Sequence, residues 1–111
     1  MCGIFASIAP KGAPPCRHMA DSVKMLYHRG PDQQGTAHVH LDWASITIGV
    51  ARLKITDQSA VPTPFIDSYN EITLAYVGEI YNFRSLRSEL YDGIEWTTSC
   101  DAEIIPRAWR K

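Results

Sequence analysis

With 111 residues, 45% of them hydrophobic and 21% charged, the chain has the composition of one ordinary globular domain that can bury a core, which excludes a disordered, collagenous or membrane-embedded protein. A formal net charge of −1 leaves no basic excess of the kind that marks a nucleic-acid footprint. The three cysteines, Cys2, Cys16 and Cys100, are odd in number and form no CxxC pair, so neither a disulfide framework nor a zinc site is expected, and a reducing, cytoplasmic setting fits.

The N-terminal MCGIFASIAPKG carries no basic run before its short apolar stretch, and no segment reaches membrane-spanning length, so neither signal peptide nor anchor is read here. GIFASIA, residues 3–9, is apolar and partly β-branched, which predicts a buried strand almost at the first residue. Chain ends normally fray, so a terminus written as core strand directs attention to what sits there. After the PKGAPP loop, Met19, Val23, Leu26 and Tyr27 share one helical face, and Gly30-Pro31 stops that helix. TAHVHL (36–41) and SITIGVARLKI (45–55) flank an LDWA turn as paired strands. ITLAY (72–76) is a further strand, reached through the connection DQSAVPTPFIDSYNE (57–71). Phe83, Leu86, Leu90 and Tyr91 mark a second helix with Asn82 at its N-cap. CDAEIIPRAWRK begins well for a helix at Asp101 and Glu103, but Pro106 predicts a short or broken one. The expected class is α+β with mainly antiparallel strands in a single domain, since no repeat or linker divides the chain.

Cys2 follows the initiator methionine. Removal of Met1 would leave Cys2 with a free α-amine beside its own thiol, one residue holding both a nucleophile and a base. Free thiols titrate near about 8.5 and α-amines near about 7.7–8.0, both close to working pH. On position alone, the same residue reads as a cysteine of no consequence.

Four further blocks alter that balance: HRGPDQQG (28–35), ARLKITD (51–57), GEIYNFRSLRSEL (78–90) and TTSCDAE (97–103). In this order behind MCGIFA, they resemble the glutaminase domain of the class II glutamine amidotransferases, most closely the N-terminal domain of glutamine-dependent asparagine synthetases. The resemblance implies an N-terminal-nucleophile αββα sandwich, in which Cys2 attacks the side-chain amide of L-glutamine to give a thioester, ammonia and then glutamate. It matches Arg52 to the group that grips the substrate α-carboxylate, and Glu79 and Asp101 to acceptors for the α-ammonium, with the backbone around Ile55 along the same pocket. Gly78 matches a backbone donor of the oxyanion hole, while Arg29, Asp32 and Asn82 match supporting positions. No metal or organic cofactor is implied.

Each residue also has a structural alternative. Arg52 pairs with Asp57 or another carboxylate, Glu79 is a solvated strand-end charge, and Asp101 and Asn82 are helix caps. His38 and His40 share a strand face with no third ligand indicated, His28 buttresses the RGPD loop, and Cys16 and Cys100 are spectators, Cys100 standing near the pocket through Asp101. Trp43, Trp96 and Trp109 are scattered without basic interleaving, which favours packing or turn positions over base stacking.

The chain departs from the family pattern in two ways. Where that pattern has asparagine before GEIYN, this sequence has Val77, which carries no side-chain donor for the oxyanion. Loss of one such donor costs about 10²–10³ in rate. The alternative expectation is therefore a catalytically impaired glutamine-binding or interaction module. The chain also stops before the later strands of the sandwich and lacks a synthetase domain with its phosphate loop, so it reads as only the first part of the usual domain or as a fragment. A synthetase partner chain or a homo-oligomer would then complete it.

Overall fold

The computed structural model describes residues 1–14, 16–55, 61–67, 71–91, 93 and 95–111. Along the chain run β1 (Gly3–Pro10), α1 (Met19–Met25), β2 (Gln33–His40), β3 (Ala44–Arg52), β4 (Phe65–Asp67), β5 (Ile72–Leu74), α2 (Phe83–Glu89), a 3-10 turn at Asp101–Glu103 and α3 (Ile104–Trp109). The class is α+β, with every strand pair antiparallel.

β3 is the centre of a three-stranded sheet ordered β1-β3-β2. Its partners run in register from Gly3↔Ala51 to Pro10↔Ala44 on one side and from Gln33↔Arg52 to His40↔Ser45 on the other. Period-2 alternation divides the sheet into two faces. Gly3, Thr47, Gly49 and Ala51 face α1, whose buried Met19 and Val23 lie over Gly49 while Leu26 meets Gly3.

The opposite face carries Ile4, Ala6 and Ile8 of β1, Ile46, Ile48 and Val50 of β3, and Ala37 and Val39 of β2. The segment leading into β4 crosses one end of it. A Cβ on Gly35 would stand 1.6 Å from the Thr63 carbonyl oxygen, so this backbone approach admits only glycine. Further along, Ile8 is 65% exposed. β4 and β5 form a second, two-stranded sheet, and Val61 and Phe65 bury against Cys100 with Leu74 and Ala102 at the rim. That cluster ties the small sheet to the C-terminal helical segment. α1, the large sheet, the small sheet and α3 thus follow one another in the way expected of part of an αββα sandwich.

The element boundaries differ from the expectations for local reasons. β2 starts at Gln33, three residues early, because β3 offers Arg52 as a pairing partner. β3 ends at Arg52 and the predicted continuation 53–55 leaves the ladder. β5 stops at Leu74 because β4 supplies only three partners, and β4 itself was read as part of the 57–71 connection. Residues 56–60 and 68–70 of that connection, with Asp57, lie outside the described residues, as does Pro15 in the PKGAPP loop. Tyr27 falls beyond the end of α1 and is exposed. Asn82 occupies the N-cap position of α2 but makes no side-chain cap bond; only its carbonyl accepts, from Leu86 N–H at 3.1 Å. Pro106 sits in the first turn of α3, where a missing N–H costs little, and is fully buried.

A buried carboxylate anchors the C-terminal segment. Glu103 accepts hydrogen bonds from the backbone N–H and the hydroxyl of both Thr97 and Thr98, at 2.7–3.0 Å. Arg87 and Arg107 approach it at 3.5 and 3.9 Å, and both guanidinium groups also lie over the Trp96 ring. Trp96 is thus a packing residue between two cations, whereas Trp43 and Trp109 are exposed. Removing the carboxylate would take this counter-charge from two partly buried guanidinium groups and the acceptor from four donors. Glu103→Ala is expected to destabilise the fold by about 3–5 kcal/mol, read as a fall in the urea midpoint; a change under about 1 kcal/mol would show that the anchor is dispensable.

Candidate active site

The site begins where the paired strands end. Cys2 precedes β1 and Leu53 follows β3, so the antiparallel register brings the two side by side. The Leu53 N–H, released from the ladder, donates to Cys2 Sγ at 3.4 Å, and the thiol lies 3.7 Å from the Leu53 carbonyl. The RGPD loop clamps both ends: Arg29 Nε donates to the Cys2 carbonyl at 3.1 Å, and Asp32 Oδ2 accepts from Lys54 N–H at 2.8 Å.

An open cavity brings together Cys2, Arg52, Ile55, Gly78, Glu79 and Asp101. Val61, Phe65 and Leu74 give it an apolar wall. Arg29, Asp32 and Asn82 are not in its lining; the first two act on the strand ends as described, and Asn82 is exposed.

Arg52 donates to Gln33 Oε1 at 3.4 Å and toward Cys100 Sγ at 3.6 Å. Asp101, 4% exposed, accepts from the Ile80 N–H at 2.8 Å, and the Cys100 thiol lies 3.6 Å from its other oxygen. Its carboxylate therefore joins the C-terminal segment to the GEIYN loop. Cys100, which holds the cap position of the 3-10 turn, makes no side-chain cap bond.

Crowded like charges mark the cavity. Burial pushes the Glu79 carboxyl above its ordinary range and the negative charge of Asp101 adds to that, with Arg52 pulling the other way. Burial likewise raises the Cys100 thiol, the Ala102 backbone and Arg52 opposing it. Tyr76 is raised by burial first, then by Asp101, Glu79, Cys100 and Cys2. A guanidinium with two carboxylates across one cavity complements a molecule carrying both a carboxylate and an ammonium group.

Among the polar lining residues, Tyr76 was missed in the sequence, and Cys100 was placed near the pocket without a role. Cys100, read as a spectator standing near the pocket through Asp101, is buried in the cavity wall between Arg52 and Asp101. Its adjacency to Asp101 was the available signal, and for Tyr76 only its place two residues before Gly78. Val77, by contrast, is 39% exposed and outside the lining, while its neighbours Tyr76 and Gly78 both line it. His38 and His40 are each bonded to a cross-strand hydroxyl, Thr47 at 3.1 Å and Ser45 at 3.2 Å, and His28 to the Met25 carbonyl. Among the described residues no group of three or more His, Cys, Asp or Glu is placed to hold a metal ion, and no helix is long and apolar enough to cross a membrane.

A cysteine next to a strand end thus shares one open cavity with a guanidinium and two carboxylates, the layout of a candidate thiol site. The whole chain, residues 1–111, matches the glutamine amidotransferase domain family, and it belongs to that family. Among its relatives are a putative glutamine-hydrolyzing asparagine synthetase of Mycobacterium tuberculosis (34% identical over 95% of this chain), asparagine synthetase B of Escherichia coli (35%, 95%) and the asparagine synthetase of Gallus gallus (33%, 95%). The chain spans 18%, 19% and 18% of their lengths respectively. No solved structure matches it.

The two cavity thiols differ in access, Cys2 half-buried and Cys100 3% exposed with its thiol raised by burial. Iodoacetamide at neutral pH is expected to label Cys2 at least about tenfold faster than Cys100, read by peptide mass spectrometry, with the difference vanishing in urea. Equal rates in the folded protein would contradict the burial of Cys100.

Proposed function

We propose that this domain hydrolyses the side-chain amide of L-glutamine through Cys2, releasing ammonia and glutamate. The observation that carries the reading is one cavity holding the Cys2 thiol together with Arg52, Glu79 and Asp101. Family membership and glutamine-hydrolyzing relatives support it.

In this reading Met1 is removed and the freed α-amine of Cys2 takes the thiol proton through a water. Arg52 grips the substrate α-carboxylate as a charged hydrogen-bond donor. Glu79 and Asp101 receive the α-ammonium, and the backbone at Ile55 flanks the head. Held at both charged ends, the side-chain amide extends toward the sulfur, and binding energy is spent on orientation. The Gly78 N–H donates to the developing oxyanion. Arg29 and Asp32 keep Cys2 and the end of β3 in place, and Asn82 acts only through its backbone carbonyl, which receives the first turn of α2. Ammonia then feeds an asparagine-synthetase-like reaction whose acceptor chemistry resides in a synthetase on another chain, with a homo-oligomer as the other way of completing the assembly.

A second reading, a glutamine-binding or interaction module without turnover, rests on one observation: Val77 offers no donor where the family pattern has asparagine. Ammonia release separates the two. With purified protein and intact mass confirming loss of Met1, release that disappears in Cys2→Ala is the expected result; glutamine binding without release would establish the module instead. Arg52→Ala should raise KM on the order of tenfold to a hundredfold, the cost of one charged hydrogen-bonded contact.

The pH dependence follows from Glu79. Its carboxyl is raised, so on acidification it gains a proton above the ordinary carboxylate range and loses the charge that attracts the ammonium. KM for glutamine should therefore rise as pH falls through that raised value, and Glu79→Gln should show a high KM with this acidic limb gone. An acidic limb that survives Glu79→Gln would assign it to another group.

A further inference from the structure

We propose that the Tyr76 hydroxyl is the second hydrogen-bond donor to the substrate amide oxygen as it becomes negative, filling from position 76 the place left without a donor at Val77. The assignment deepens the glutaminase reading and rests on it.

Geometry separates the two neighbours. Tyr76 lines the cavity with Cys2 and Gly78, whereas Val77 is turned out of it. The hydroxyl stands beside Gly78: a Cβ built there would meet the Tyr76 oxygen at 2.8 Å and ring carbons at 3.1 and 3.2 Å. Glycine at 78 thus leaves room for the phenol next to the backbone N–H that the mechanism already uses. Among the described residues the hydroxyl makes no hydrogen bond, although it is half-buried and the Glu79 and Asp101 carboxylates are near enough to act on it electrostatically. A phenol with an uncommitted O–H in a wall shared with the nucleophile is equipped to donate to an arriving oxygen.

The surroundings protect that role. Burial first, and then the Asp101 and Glu79 carboxylates, oppose phenolate formation, so the group stays a neutral donor across the working pH range. In the reaction, Cys2 Sγ gives an electron pair to the amide carbon and the C=O π pair moves onto oxygen. Tyr76 O–H and Gly78 N–H donate hydrogen bonds to that oxygen, and neither gives up its proton. As the π bond re-forms the C–N bond breaks, and the nitrogen takes the former thiol proton from the Cys2 amine and leaves as ammonia. Water attacks the remaining thioester, returning the thiol and glutamate.

The test is Tyr76→Phe, which keeps the ring and removes the donor. A fall in kcat of about 10²–10³-fold with KM within about twofold is expected. L-Glutamate γ-semialdehyde, which adds the Cys2 thiol to give a tetrahedral hemithioacetal, should lose affinity by a similar factor. Glutamine binding measured in a Cys2→Ala background should be unchanged by the added Tyr76→Phe, which also reports that the variant folds. Val77→Asn, whose side chain faces away from the cavity, should leave kcat within about threefold. Tyr76→Phe with kcat within about threefold of the parent overturns the assignment, as does equal loss of glutamine and aldehyde binding, which would make Tyr76 a head-binding or packing residue. A rise of about tenfold or more in Val77→Asn also overturns it, because the missing donor would then belong at 77. If the parent protein itself releases no ammonia, the glutaminase reading falls and takes this one with it; an active parent with an unaffected Tyr76→Phe removes only the tyrosine.

Discussion

β3 pairs with both β1 and β2 as far as Ala51 and with β2 alone at Arg52, where the pairing stops. Everything in the cavity depends on where it stops. One residue further, the Leu53 N–H has no strand to bond and turns to the Cys2 sulfur instead. Because β1 is antiparallel to β3, the start of the first strand and the end of the third share one edge, and a residue almost at the beginning of the chain comes to lie beside one halfway along it. Arg29 and Asp32 reinforce the edge from the loop that introduces β2, each bonding to backbone, so the thiol is held by main-chain geometry and not by its own flexible reach.

Charge organises the opposite wall. Asp101 is nearly fully buried, and its carboxylate is committed to the Ile80 N–H, which fixes the loop that presents Gly78 and Glu79. Two carboxylates sharing a partly desolvated space repel, and the raised Glu79 carboxyl records that repulsion together with burial. Arg52 answers them from the sheet side. An incoming ammonium would ease the repulsion between the two carboxylates. Glu103 stands just behind, and its ties to Thr97 and Thr98 hold the segment from which Asp101 projects.

Some of this was legible in the residues. The alternation of GIFASIA and SITIGVAR, and the face formed by Met19 and Val23, follow from period and composition and led to the right elements. The six residues now gathered in the cavity could be named only through the family resemblance that the ordered motifs carry. The three-residue β4 was not legible: its Phe-Ile-Asp run is too short for alternation to register, and it becomes a strand only by pairing with Ile72–Leu74. Asn82 illustrates the converse. Its side chain is a good cap by type, yet the loop enters α2 at angles that leave the amide without a backbone target.

Periodicity by itself pointed to an α+β chain of mainly antiparallel strands, and the family resemblance carried by the ordered motifs pointed to Cys2, Arg52, Gly78, Glu79 and Asp101 as candidate site positions. Those are properties of local preference and of which residue types recur together, and both are written along the chain. Tertiary structure alone decided which side chain enters the cavity at the turn before Gly78: Tyr76 faces in and Val77 faces out. It also decided that Cys100 is buried between Arg52 and Asp101. The direction in which a side chain points on an irregular segment depends on backbone angles fixed by distant packing, here of the small sheet against the C-terminal segment, and no nearest-neighbour pattern contains that information.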